Sequence, residues 1–285
     1  MRILVTGANG YIGRHVVNAL LHKGAEVIAC DICTDDVNPR ADRKNLNLFN
    51  LPKENIYEQL GLPDVCLHMA WRNGFVHNAP TQMGDLSAHY NFMTAMIDGG
   101  LKQLAVIGTM HEIGYWEGAI DENTPCNPIS MYGIAKDALR RAMILYTGQK
   151  GCILQWLRCY YILGDDKKNN SIFSKLLNAA EGGKKTFPFT TGKNKYDFIK
   201  VDELAKLIAA SVMQSEVTGI INCCTGNPIS LAEQVESFIK EHSLDIKLEY
   251  GAFPDRPYDS PCEYGDPTKI CLLYTSPSPR DPKTS

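Results

Sequence analysis

A threonine-led glycine turn near the start of the chain, Thr6-Gly7-Ala8-Asn9-Gly10-Tyr11-Ile12-Gly13, constrains the fold more than any other feature. It follows an apolar run from Arg2 to Thr6 that reads as a strand. It opens a stretch from Ile12 to Lys23 that reads as an amphipathic helix. Such a step uses glycine three times: for a tight turn, for close approach of backbone to a pyrophosphate, and for close packing of helix on strand. Dinucleotide phosphates then meet the free N–H groups and positive dipole end of the helix. Gly7, Asn9, Gly10, Tyr11, Ile12 and Gly13 are therefore candidate cofactor contacts. A second strand, Val27 to Cys30, is followed by Asp31, where a carboxylate accepts hydrogen bonds from ribose hydroxyls and repels a 2′-phosphate. Ile32 and Cys33 come next, with no arginine, so NAD rather than NADP is the expected cofactor.

The pattern beyond the turn alternates short β-branched runs with helical stretches, which predicts an α/β chain with a doubly wound, Rossmann-type parallel sheet. Strands are expected near Leu46 to Leu48 and over Val65 to Met69, Leu104 to Ile107 and Ile153 to Leu157. Helices are expected over His89 to Gly99 and Met131 to Thr147. Residues 1–164 read as the NAD-binding domain. Residues 165–270 read as a smaller mixed α/β substrate-binding region, part of which (near 195–225) is expected to return to the sheet. Within it, Ser171 to Glu181, Val201 to Met213 and Leu231 to His242 read as helices and Gly219 to Cys223 as a strand. Loop-rich stretches at Asp165 to Asn170 and Phe253 to Asp266 suit a cap over the substrate.

A net charge of −3 gives no electrostatic footprint for nucleic acid or anionic membrane. The N-terminus runs straight into a strand, with neither a signal peptide nor a membrane-spanning stretch, so the cytoplasm is the expected compartment. Ten cysteines raise the question of metal. Cys30 and Cys33 have no second pair at zinc-ligand spacing, and His111-Glu112 fails as a zinc helix because position 115 is tyrosine. Free thiols and no metal are expected. Residues 271–285 are set apart: Cys271 to Asp281 reads as one frame of a transposase-end sequencing adapter, so this tail is expected to be non-native.

Tyr132 and Lys136 stand one helical turn apart on one face of the Met131 to Thr147 helix. A fixed ammonium lowers the phenol pKa, so Tyr132 can exchange a proton with a sugar hydroxyl during hydride transfer. Thr109 follows a strand whose carboxyl end faces the ligand crevice, and its hydroxyl can orient the reacting oxygen.

Taken together, TGANGYIG, Asp31, HMAW at 68–71, VIGTMHEIG at 106–114, YGIAK, LRCYYILG at 157–164, YDFIKVDE at 196–203 and GDPTK resemble an extended short-chain dehydrogenase/reductase of the NAD-dependent epimerase/dehydratase family. The resemblance covers roughly residues 1 to 270. It implies catalytic roles for Thr109, Tyr132 and Lys136, with Tyr132 and Lys136 also touching the cofactor beside Leu48, Met69, Ala70, Trp71 and Tyr160. It implies a nucleotide-sugar substrate met by His77, Met110, His111, Tyr161 and Arg256, the last through the diphosphate. It also implies a homodimer, the helix from Met131 being one candidate for the interface. Met110 and His111 stand where dehydratases of this kind carry Asp-Glu, which argues against dehydration. Tyr161 and Tyr196 replace an Asn and an Arg common in epimerases, with Lys193 or Lys195 available as substitutes. The expected activity is NAD-dependent nucleotide-sugar epimerisation or 4-keto-sugar reduction. The rival is a non-catalytic NAD-sensing regulator on the same scaffold, although such proteins often lose the Tyr or Lys retained here.

Overall fold

The computed structural model describes residues 1–51, 54–164, 171–255 and 259–275. In chain order the first half contains β1 (Arg2–Thr6), α1 (Tyr11–His22), β2 (Glu26–Asp31), β3 (Asp42–Asn45), α2 (Ile56–Gln59), β4 (Val65–His68), α3 (Thr81–Gly84), α4 (Leu86–Asp98), β5 (Gln103–Thr109), β6 (Gly118–Ile120), α5 (Met131–Lys150) and β7 (Ile153–Cys159). The second contains β8 (Tyr161–Leu163), α6 (Ile172–Glu181), β9 (Thr186–Pro188), β10 (Lys195–Lys200), α7 (Val201–Val212), β11 (Gly219–Cys223), β12 (Pro228–Ser230), α8 (Leu231–Glu241), β13 (Lys247–Glu249), β14 (Cys262–Gly265) and α9 (Thr268–Thr275).

Seven strands form one parallel sheet in the order β11-β7-β5-β4-β1-β2-β3. Its central strands are apolar on both faces because helices cover both. Ile3 and Val5 of β1 pack with Val16 and Leu20 of α1 and Ile208 of α7. Leu4, between them in sequence, packs on the other side with Met93 of α4 and Leu139 and Met143 of α5. This period-2 division puts β1 at the centre of both cores. The order reverses between β1 and β4, and in such sheets the crevice at the strands' carboxyl ends is where ligands bind.

A second sheet, β12-β10-β14-β6 with β8 paired to β10, lies beyond those carboxyl ends in sequence. Its strands belong mostly to the second half, whereas β11 sits in the main sheet, where Gly219–Cys223 pairs with 155–159 of β7. A two-stranded sheet joins β13 to β9.

Several boundaries differ from the sequence reading. The strand expected at Leu46 to Leu48 lies at Asp42–Asn45, an edge strand of polar residues paired only with β2. β5 continues through Gly108 and Thr109, which stay in register with Arg158 and Cys159, so Thr109 is the last residue of the strand. A strand, β14, forms within the expected loop at 253–266. The expected cap segment 165–170 lies outside the described residues. α9 crosses residue 270 without a break, and both Ile270 and Leu273 pack on the α1/α7 core. Among the described residues, no helix is long and apolar enough to cross a membrane.

Candidate active site

The glycine turn leaves β1 and enters α1 as two glycines require. Gly7 has φ +68°, and a Cβ on it would lie 2.7 Å from the backbone N of Ala70. A Cβ on Gly13 would lie 2.2 Å from the carbonyl oxygen of Gly7, so the helix could not sit this close to the turn. α1 starts at Gly10 with no side-chain cap, which leaves its amino end available to an anion. The Asp31 carboxylate, at the end of β2, accepts from Asn9 N (2.9 Å) and from Ile32 N (2.8 Å). Asn9 Oδ1 in turn accepts from Asp36 N at 3.0 Å, so the turn and the segment after β2 are bound together. Ile32 is exposed beside the carboxylate, while Tyr11 and Ile12 are half-buried in the first turn of α1.

From the next strand, Met69 and Ala70 donate their backbone N–H groups to Thr6 Oγ1 at 3.1 and 3.2 Å. Leu48, Met110 and Tyr160 are almost wholly buried. Leu48 sits in the α4/α5 core, and Met110 and Tyr160 share a small cluster with Ile113, Ile120 and Cys224. The structure gives these three packing partners rather than open faces. Arg256 lies outside the described residues.

Thr109, Tyr132 and Lys136 converge. Burial pushes the Tyr132 phenol above its ordinary range, against a smaller opposing pull from the nearby Thr109 hydroxyl. Lys136 is buried, its Nζ donating to the Ile107 carbonyl at 2.8 Å. Burial lowers its ammonium to about 8, against opposing pulls from Glu112 and Cys159. At neutral pH the pair therefore rests as a phenol beside an ammonium, the form that gives a proton to a carbonyl oxygen. α5 begins where it does because Ser130 Oγ accepts from Gly133 N. Its first turn is also held from outside, since Tyr132 N donates to the His77 carbonyl at 2.8 Å and Met131 N to Asn78 Oδ1 at 3.1 Å. The His77 ring stacks on Tyr132 (centroids 5.4 Å apart, 19°) and meets His111 edge-on at 4.4 Å. Burial, with His77 nearby, lowers His111 to about 4, so it is neutral near pH 7. Tyr161 lies against Tyr196 at 4.3 Å, in the second sheet.

Two groups of residues carry more than the sequence reading resolves, which leaves Glu112 only as a neighbour of Thr109 that could tune the site or merely pack. Glu112 is fully buried behind Thr109. Its Oε1 accepts from Thr109 N and Trp156 Nε1, both at 2.8 Å, and its Oε2 faces Arg158 Nη2 at 3.4 Å and Arg140 Nε at 3.6 Å. A Cβ on Gly108 would lie 2.2 Å from Trp156 Nε1, which explains a glycine within this strand. The sequence signal was present, because Thr109 to Glu112 has capping-box spacing. The second group is a buried histidine pair with no such local signal. His68 Nδ1 meets Thr6 Oγ1 at 2.9 Å and His68 Nε2 meets His89 Nδ1 at 2.8 Å.

Both histidines are about 1% exposed, and burial drives His68 well below its ordinary value and His89 to about 3. The unfolded chain therefore takes up protons below about pH 6.5 that the folded chain refuses. Stability is expected to fall as pH drops from 6.5 toward 4, by about 1.4 kcal/mol per pH unit for each histidine. Urea unfolding at pH 7 and pH 5 measures this, and equal midpoints would contradict a neutral pair.

A profile of the NAD dependent epimerase/dehydratase family matches residues 3–224. Over 271 residues the chain is 45% identical to dTDP-6-deoxy-L-talose 4-dehydrogenase (NAD(+)) of Aggregatibacter actinomycetemcomitans, covering 93% of this chain and 99% of that protein. Among solved structures it is similar to UDP-N-acetylglucosamine 4-epimerase from Methanobrevibacter ruminantium M1, with a TM-score of 0.83, 20% identity and coverage of 98% and 93% of the two chains. UDP-glucuronic acid 4-epimerase from Bacillus cereus, solved with UDP-glucuronic acid and NAD, gives a TM-score of 0.78, 21% identity and coverage of 98% and 94%.

Proposed function

The chain belongs to the NAD dependent epimerase/dehydratase family, and on that premise we propose that it interconverts the 4-hydroxyl and 4-keto forms of a thymidine-diphosphate-linked 6-deoxyhexose with NAD. The carrying observation is the meeting of Thr109, Tyr132 and Lys136 at the carboxyl edge of the main sheet. The choice of 4-dehydrogenase over 4-epimerase follows the relative that shares 45% of its residues across 93% of this chain.

The residues present fit a dinucleotide. The uncapped start of α1 would receive the pyrophosphate, Asp31 the adenosine ribose hydroxyls, and Lys136 the nicotinamide ribose. Residues 1–164 with β11 form the cofactor unit in this reading, and the remaining strands form the substrate side. Bound NAD supplies the two-electron acceptor. Thr109 hydrogen-bonds the C4 oxygen and fixes its distance from Tyr132. Tyr132 takes the hydroxyl proton in oxidation and returns it to the carbonyl in reduction, while the Lys136 charge stabilises the phenolate between these steps. His77 and His111, on the Tyr132 ring, line the sugar side as hydrogen-bonding groups, and His111 is neutral at pH 7. We place the enzyme in the cytoplasm as a homodimer paired through α5, on which Ile134, Ile144 and Leu145 are exposed.

Incubating the protein with NAD and a panel of dTDP-6-deoxyhexoses tests this reading. NADH is expected to form one-for-one with 4-keto sugar, with NAD favoured over NADP. Inversion at C4 without NADH would make the chain an epimerase, and NAD binding without turnover of any sugar would favour the regulatory alternative. A preference for NADP would overturn the role of Asp31.

A further inference from the structure

Lys136 is a charged group in a nearly dry site, and something must hold it charged. The indole of Trp71 lies directly against it, with Nζ 3.9 Å from the ring centroid. We propose that Trp71 is a positioning residue for the reaction, its indole face keeping the Lys136 ammonium charged and in place beneath Tyr132 while the His68–His89 pair fixes the indole. This rests on the reading of Lys136 given above and adds a role to the cofactor contact expected of Trp71.

The indole is held on several sides. Its Nε1 donates to Gln82 Oε1 at 2.7 Å. Gln82 is fully buried, and its Nε2 donates to the carbonyls of Asn73 and Val76, which leaves Oε1 as the acceptor facing the indole. The His89 ring stacks on the indole with centroids 4.3 Å apart and planes within 13°, and Tyr132 meets it edge-on at 6.0 Å.

His89 is itself oriented by a directional chain. Thr6 Oγ1 accepts from Met69 N and Ala70 N, so its single hydrogen goes to His68 Nδ1. His68 then carries its proton on Nε2 and donates it to His89 Nδ1. Both rings are consequently neutral, which lets aromatic surface approach an ammonium without charge repulsion. The chain begins in β1, at the entry to the glycine turn, and ends against the catalytic lysine.

Cation–π attraction is strongest for tryptophan and grows when water is excluded, and Lys136 is 3% exposed. The groups facing the ammonium from the surrounding elements are Glu112 after β5, Cys159 on β7, Tyr132 on α5 itself, His68 on β4 and His89 on α4. Glu112 and Cys159 favour the charge, and burial opposes it. Removing the indole tips this balance toward the neutral amine.

The test compares wild type with Trp71→Leu and Trp71→Phe in the full chain. Lys136 is titrated by NMR with ¹³Cε-labelled lysine in the protein without cofactor, and the pH profile of kcat is measured in sugar oxidation. Trp71→Leu is expected to move the lysine midpoint down by about one pH unit, with the alkaline limb of kcat shifting the same way. Trp71→Phe, which keeps an aromatic face, is expected to shift each by less than half as much. Equal lysine midpoints in wild type and both variants would overturn the proposal, as would a leucine variant no more shifted than the phenylalanine one. The lysine titration stands apart from turnover, so an inactive enzyme with a Trp71-dependent midpoint would remove the function proposed above and leave this electrostatic contact standing.

Discussion

Replacing Tyr132 with phenylalanine is expected to lower kcat for sugar oxidation at least ~100-fold while leaving NAD affinity nearly unchanged. The change removes one oxygen from a half-buried ring and keeps the ring itself. The stack of His77 on that ring therefore survives, as does the bond from the residue 132 N–H to the His77 carbonyl. What is lost is the hydroxyl proposed to carry the proton, which lies close enough to Thr109 to feel its hydroxyl. Because the role proposed for the phenol is exercised on the reacting oxygen in the transition state, the loss is expected in kcat more than in KM. Steady-state kinetics with a nucleotide 6-deoxysugar, beside a calorimetric NAD titration, separate the two effects. Turnover within a few-fold of wild type would strip Tyr132 of its assigned chemistry.

The largest stability effect is expected at Glu112. Changing it to alanine leaves Arg158, fully buried, without its carboxylate and removes the nearby anion from Arg140. It also leaves the Thr109 N–H and the Trp156 indole N–H without their acceptor. Breaking a buried pair from one side costs roughly 3–5 kcal/mol. For a chain of this size that lowers Tm by roughly 10 °C. Glu112→Gln keeps an acceptor for both N–H groups but sets an amide NH2 against the arginine donors where Oε2 stood, so it is expected to fall between wild type and alanine. Thermal unfolding ranks the three, and an alanine variant within about 1 kcal/mol of wild type would mean that the arginines find other partners. Turnover should fall with stability even at temperatures where the variant is folded, because Thr109 loses the bond that fixes its backbone.

What the sequence makes legible follows the range of the forces involved. The glycine turn, Asp31 and the Tyr132–Lys136 spacing are local, and the structure holds Asn9 to Asp31 and Lys136 to the strand end beside Thr109. The edge strand at Asp42–Asn45 carries almost no apolar signal, since three of its four residues are exposed and only its pairing with β2 defines it. The three-residue strands of the second sheet are too short for alternation to register. Nothing local to His68 or His89 signals that they pair. Their pairing depends on how α4 lies across β4, which is a matter of packing. Glu112 is the instructive middle case: its spacing from Thr109 is local and readable, but the two arginines that give it weight come from α5 and β7.

The loop at 77–78 grips the first turn of α5 by two backbone N–H groups and lays a ring over the Tyr132 phenol. On the proposed mechanism, the sugar side and the placement of Tyr132 thus depend on one segment. In the enzyme proposed, trimming that segment to admit a bulkier sugar would slacken the helix that carries Tyr132, so broader substrate range and fast turnover would pull against each other.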